Sequence, residues 1–230
     1  MAGRFSTPAR GDDAAWFRVG SVDVTTAVLV PALCALSMVV WAVSPSFLVP
    51  LVLIPDDVVH GQVWRLVTWP LANGPDLWTV LGLAMLWYFG RELERMVGRA
   101  RFMWLLVLLA AVPGVVATAV GLDMNGVRAL EIAVFCLFCA QLPHVRFWGS
   151  IPAWVFAAVI VGIEVLADAG SRQGGPLLVL LTSLVTAALV GRTFGLLTEY
   201  RWIPALGRRA DRRQPRARRR SPRQIGRAHV

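Results

Sequence analysis

The chain has 230 residues, of which 57% are hydrophobic and only 16% charged, with a formal net charge of +9. A mean hydropathy of +0.61 excludes an ordinary soluble domain and places the chain in the polytopic membrane class. Every one of its 23 basic residues is arginine, so membrane orientation has to be read from arginine alone.

Residues 1–22 are polar and charged, carry Arg4, Arg10 and Arg18, and lack the apolar core of a cleavable signal peptide; they read as a cytoplasmic segment. A membrane domain is expected over 23–199. Its apolar runs lie near Val24–Val43, Leu77–Phe89, Phe102–Val120, Val127–Leu142, Ile151–Ala167 and Pro176–Leu197. Crossing a hydrocarbon core of roughly 30 Å at about 1.5 Å per residue takes about 20 residues. Backbone groups in hydrocarbon must bond internally, so such runs read as helices. The second run is short and spans only by reaching back toward Leu71, while Pro31 and Pro113-Gly114 mark expected kinks. The predicted fold is an all-α polytopic membrane protein, a bundle of six transmembrane helices.

Arginine placement gives the expected orientation. Arg91, Arg95, Arg99 and Arg101 follow the second run, Arg146 follows the fourth, and eleven more lie from Arg201 onward. The positive-inside rule assigns all of them to the cytoplasm. The alternate connections hold Asp56, Asp57, Asp76, Asp123 and Asp168, with Arg65 and Arg172 as their exposed cations. Both termini are then cytoplasmic. Arginine-only usage with abundant Ala and Val points to a GC-rich bacterial genome, hence a multi-pass protein of a bacterial plasma membrane.

Residues 200–230 form an Arg-rich tail. The cluster from Arg208 to Arg223 would contact anionic lipid headgroups or nucleic acid at about 1 kcal/mol per charge. Its composition favours a disordered, solvated, topology-fixing tail. Contact with anionic lipid stays open and no nucleic-acid function is expected. Residues 225–230, Ile-Gly-Arg-Ala-His-Val, also match what a common sequencing adapter encodes, so His229 carries no weight.

Cys34, Cys136 and Cys139 all lie within apolar runs, where thiols behave as small hydrophobes. The Cys136-x-x-Cys139 pair has no further Cys or His at matching depth, so packing is favoured, and neither metal nor cofactor is expected.

Two strings carry more specific information, GQVWRLVT around Trp64-Arg65 and FGRELERMVGRARF from Phe89 to Phe102. Trp beside Arg suits the headgroup layer, where indole and guanidinium find both apolar contact and acceptors. Glu94 is placed to pin the following turn through Arg91, Arg95, Arg99 or Arg101; the alternative is an ordinary charged loop. Together the strings resemble the rhomboid intramembrane proteases. Trp64 and Arg65 match that family's first loop, and Phe89, Gly90, Leu93, Glu94, Gly98, Arg101 and Phe102 match the end of its second helix. The resemblance implies a rhomboid-like six-helix bundle.

It also implies a serine nucleophile in G-x-S-G at the fourth helix and a histidine base opening a small-residue stripe on the sixth. Here the fourth helix opens Gly126-Val127-Arg128-Ala129, with Arg128 at the nucleophile position. Leu184 stands at the base position, followed by the small residues Ala187 and Gly191. Shifting the register brings Thr182 or Ser183 there, and no base. The oxyanion-hole positions fall on Trp78 and Gly82. The histidines are His60, His144 and His229, and pairing His144 with Ser150 offers no oxyanion donors.

The remaining signal is intramembrane charge. Arg128 and Glu131 are three apart on one helix, and Glu164 reaches a similar depth on the next, so a three-residue cluster is expected. It reads either as a polar handle for a client's transmembrane helix or as an internal ion pair that fixes packing. The resemblance implies a proteolytically inactive relative that binds transmembrane clients within the lipid bilayer. The alternatives are an active intramembrane serine protease with an unrecognised site, and a small transporter or channel, though no repeated half supports the last.

Overall fold

The computed structural model describes residues 17–19, 22–143, 145–147, 151–170, 174–197, 200 and 204. Most of segment 1–22, His144, Ser150, Arg172 and all of the tail but Tyr200 and Pro204 lie outside them. Strands β1 (Phe17–Val19) and β2 (Val22–Val24) pair antiparallel, Phe17 opposite Val24. The first apolar run therefore opens as a strand, and helix α1 (Thr26–Val43) starts two residues later than the apolarity does.

A compact connection follows, made of a 3₁₀ segment Pro45–Leu51, helix α2 (Pro55–Val59), helix α3 (Arg65–Thr68) and a second 3₁₀ segment Trp69–Leu71. Paired backbone bonds between Leu53 and Met124, 2.9 and 3.0 Å, tie it to the chain ahead of α6. Helix α4 (Leu77–Val97) is capped by Asp76, whose carboxylate accepts from Thr79 N–H at 3.1 Å. It runs past the apolar stretch that ends at Phe89 because amphipathic sequence continues the same helix. Gly98, at φ +88°, makes the reversal into helix α5 (Arg99–Val120), a conformation that a side chain would strain.

Helix α6 (Arg128–Gln141) follows, then the paired two-residue strands β3 (Arg146–Phe147) and β4 (Ile151–Pro152). Helices α7 (Ala153–Gly170) and α8 (Gly174–Thr193) complete the bundle. Pro31 and Pro113 lie within α1 and α5 without ending either helix. Helix α6 is the hub, packed against α4, α5, α7 and α8. Phe89 of α4 meets Phe135 and Phe138 of α6 at ring-centroid distances of 5.0 and 4.6 Å. Ala187 and Gly191 of α8 are buried, and a Cβ on Gly191 would lie 2.7 Å from Leu137 Cδ1. The small-residue stripe is thus what lets α8 close on α6.

The expected six spans are not supported. Among the described residues four helices, α1, α5, α7 and α8, are long and apolar enough to cross a membrane. Helix α6 has 14 residues, about 21 Å of rise against a core of roughly 30 Å. Helix α4 has the length, with 21 residues, but its last two turns carry Arg91, Glu92, Glu94 and Arg95. Helix α6 is an inner helix whose neighbours cover most of it, so it does not need the apolarity of a lipid-facing span, whereas α4 keeps an exposed apolar face with Trp78, Leu81 and Tyr88 and is charged only in its last two turns.

Candidate functional site

The two informative strings do structural work. Arg65 was expected as an exposed cation, and instead it is only 4% exposed. Its Nε donates to Gln62 Oε1 at 2.7 Å, Nη1 donates to Val49 O at 2.7 Å and to Val52 O, and Nη2 sits 3.0 Å from Asp57 Oδ2. A guanidinium has the donors to hold a folded connection by its carbonyls. Trp64 stays half-exposed, with Nε1 donating to Pro50 O at 3.3 Å.

Glu94 does not serve the following turn either. Buried, it accepts from the Thr26 and Ala27 amides at 2.8 and 2.9 Å and so caps the start of α1 from 68 residues away. Thr25, at the local cap position, makes no side-chain cap bond. At this end of α4 an ion pair joins Arg95 to Glu92 at 3.3 Å. Gly90 lies against Phe102, whose ring would be 3.1 Å from an added Cβ.

A second buried polar residue escaped sequence reasoning. Asn73 donates through Nδ2 to Pro70 O at 2.8 Å and accepts through Oδ1 from Val127 N–H at 3.0 Å, just ahead of α6. Its own amide donates to Ser37 Oγ at 3.3 Å, and Ser37 Oγ donates to Cys34 O at 2.7 Å. Gly126, at φ +83°, donates to Trp69 O at 3.1 Å. The one available signal was Asn73 itself, an amide between apolar Pro70-Leu71-Ala72 and Gly74, which reads as an ordinary Asn-Gly turn.

This network fixes the start of α6 and hence Arg128. The Arg128 guanidinium reaches both glutamates: Nε and Nη2 donate to Glu164 Oε1 at 3.0 and 2.6 Å, and Nη1 donates to Glu131 Oε1 at 3.2 Å. Burial is uneven, with Arg128 57%, Glu164 23% and Glu131 6% exposed at the side chain. The second Glu131 oxygen, Oε2, is buried without a hydrogen-bond partner. Gly82 of α4 makes room for it, since a Cβ there would overlap the Glu131 carboxylate.

Two cavities share Trp78, Arg128 and Glu131. One, of about 250 Å³, is walled by Leu81, Gly82 and Met85 of α4, Ile132 and Phe135 of α6, and Ile160 of α7. The other, of about 750 Å³, extends past Trp41, Asn73, Asp76, Asn125, Gly126 and Ile163. Trp78 and Gly82 therefore meet the charge cluster, whereas Leu184, Ala187 and Gly191 line neither cavity. On α8, Ser183 and Thr182 spend their hydroxyls on backbone, on Val179 O at 2.9 Å and Leu178 O at 2.7 Å. His60 lies elsewhere, exposed beside Asp56 O at 2.6 Å. The site offers charge and hydrogen bonds inside an apolar wall.

Residues 27–133, from α1 into α6, match a family described as eukaryotic integral membrane protein (DUF1751). Among curated proteins none matches the chain. The match takes in both strings on which the rhomboid resemblance rests, and what they match is a different family's model, so that resemblance is withdrawn. It equally overturns the bacterial plasma-membrane location, because the matched family is eukaryotic. An integral membrane protein in contact with the lipid bilayer is what the helices and the match support together.

Proposed function

We propose that this protein is a membrane-embedded binding protein whose cleft between α4, α6 and α7 receives the transmembrane helix of a client, with Arg128, Glu131 and Glu164 as its polar handle. The observation that carries this reading is the placement of α7. Among its described residues only Ala153 is buried, and it packs on α6 and α8 rather than α4. Helices α4 and α7 each pack on α6 and together with it wall the smaller cavity, which is therefore a gap floored by α6 with α4 and α7 as its banks. Leu81, Met85, Ile132, Phe135 and Ile160 give that gap the apolar lining that a lipid-soluble helix would meet. An ionisable side chain within a membrane is costly unless it is paired or faces a cavity, which is why a buried carboxylate in a lateral gap reads as a contact point.

The test is site-specific photo-crosslinking to a defined single-span reporter helix in vesicles. A crosslinker at Met85 or Ile160, on opposite banks, is expected to capture the reporter, and one at the outward-facing Val185 of α8 is not. Equal capture at all three positions would reduce the contact to random collision. Arg128→Leu adds a second arm: a variant that melts earlier yet captures the reporter unchanged assigns the cluster to packing alone.

A further inference from the structure

The cleft has an electrostatic asymmetry that specifies the chemistry of its occupant, an inference resting on the client-binding reading above. One cation faces two carboxylates. Arg128 commits Nε and Nη2 to a single oxygen of Glu164 and Nη1 to a single oxygen of Glu131. Glu131, only 6% exposed, lines both cavities, and its Oε2, turned toward Gly82 at the wall of the smaller one, is left buried and unpartnered. An acceptor in that state is costly in an apolar wall until a donor reaches it, and the cluster's formal charge is one positive short of neutral.

We infer that the occupant supplies a cationic hydrogen-bond donor, and that it is a client transmembrane helix bearing a lysine or arginine within its apolar run. Depth separates such a helix from the other membrane source of a cation, a phospholipid headgroup. Gly82, against which the Glu131 carboxylate rests, lies four residues into α4 from Trp78, about 6 Å along the axis. Trp78 and Trp41 border the larger cavity at the helix ends, the level at which indoles mark the membrane interface. A headgroup ammonium sits at or beyond that level, whereas a helix-borne side chain is delivered inside it. The remaining wall is apolar, matching the rest of a leucine-rich helix.

The experiment uses the full chain with a photo-crosslinker at Met85, in phosphatidylcholine vesicles, with single-span leucine-alanine reporters that differ at one position about one turn inside their interfacial Trp. The guests are Lys, Leu and Glu. The Lys reporter is expected to give about tenfold more adduct than either of the others, and Glu131→Gln, which keeps the shape, is expected to abolish that preference. Equal adduct from all three guests overturns the cationic requirement while leaving the client reading intact. Loss of the Lys preference when phosphatidylethanolamine, whose ammonium carries the N–H donors that choline lacks, is added to the vesicles overturns it in favour of the headgroup. Capture of every reporter at Met85 no greater than at Val185 overturns the client reading itself. If Glu131→Gln lowers the melting temperature, the guest series on the unaltered chain decides alone.

Discussion

At the residue scale, the buried carboxylate of Glu94 illustrates how a charged residue in a loop-like sequence becomes a long-range cap. Its oxygens satisfy two amides of the first turn of α1, where the helix dipole also favours negative charge. Glu94→Ala removes both bonds and leaves buried donors, so it is expected to lower stability by about 2–4 kcal/mol. Glu94→Gln keeps one acceptor and loses the charge, with roughly half that effect. Thermal unfolding in detergent checks both, and equal melting of Glu94→Ala and the parent chain would refute the capping role. Local sequence reasoning picked out Glu94, Arg65 and Arg128 as the unusual charges. It gave Glu94 the wrong partners and Arg65 the wrong exposure because much of what holds them is backbone: amides 67 and 68 residues away for Glu94, and carbonyls 13 and 16 residues upstream for Arg65 beside the side chains of Gln62 and Asp57. Backbone atoms carry no trace in the residue types that flank them. Asn73 was invisible for the same reason.

At the element scale, apolar runs located every long helix, and four of the six have the length and apolarity of spans. Helix α6 is covered by its neighbours, and burial inside protein demands neither the length nor the uniform apolarity that lipid does, whereas α4 keeps an exposed apolar face and departs from uniform apolarity in its charged last two turns. The short turns of the α1–α4 connection were unreadable because α2 and α3, at five and four residues, have no room for a periodic pattern. The stripe on α8 was legible as small residues, and its neighbour was not: Gly191 faces Leu137 of α6. Gly191→Val therefore forces side-chain bulk into a contact already at van der Waals limits. A loss of about 1–3 kcal/mol is expected. The double variant with Leu137→Ala should recover part of it, and a double-mutant cycle by thermal unfolding measures the coupling. Additive losses would mean that the two side chains do not meet.

At the scale of the whole molecule, the strings that looked most diagnostic were the ones that misled. Trp64-Arg65 and the run from Phe89 to Phe102 solve problems general to helical bundles: tying down a connection by its carbonyls, and turning tightly between antiparallel helices at Gly98. Those solutions recur wherever the geometry does, and here they sit inside a match to a eukaryotic membrane family. Membrane class and helix positions follow from hydrophobicity, and orientation remains a matter of charge. Helix α5 supplies the test, since it is one of the helices able to cross, with 22 residues or about 33 Å between Gly98 and Gly121. Its two ends must then face opposite sides of the membrane. Arg95, 61% exposed at the side chain, marks the arginine-rich end, and exposed Asn125 follows the other. Arginine-rich turns are retained on the cytoplasmic side. With Cys34, Cys136 and Cys139 replaced, an impermeant maleimide added to intact cells or sealed cytoplasm-out vesicles should label Arg95→Cys and Asn125→Cys from opposite faces, Arg95→Cys from the cytoplasm. Labelling of both from one face would remove α5 as a span, and labelling from reversed faces would make Glu131 and its cleft open toward the cytoplasm instead.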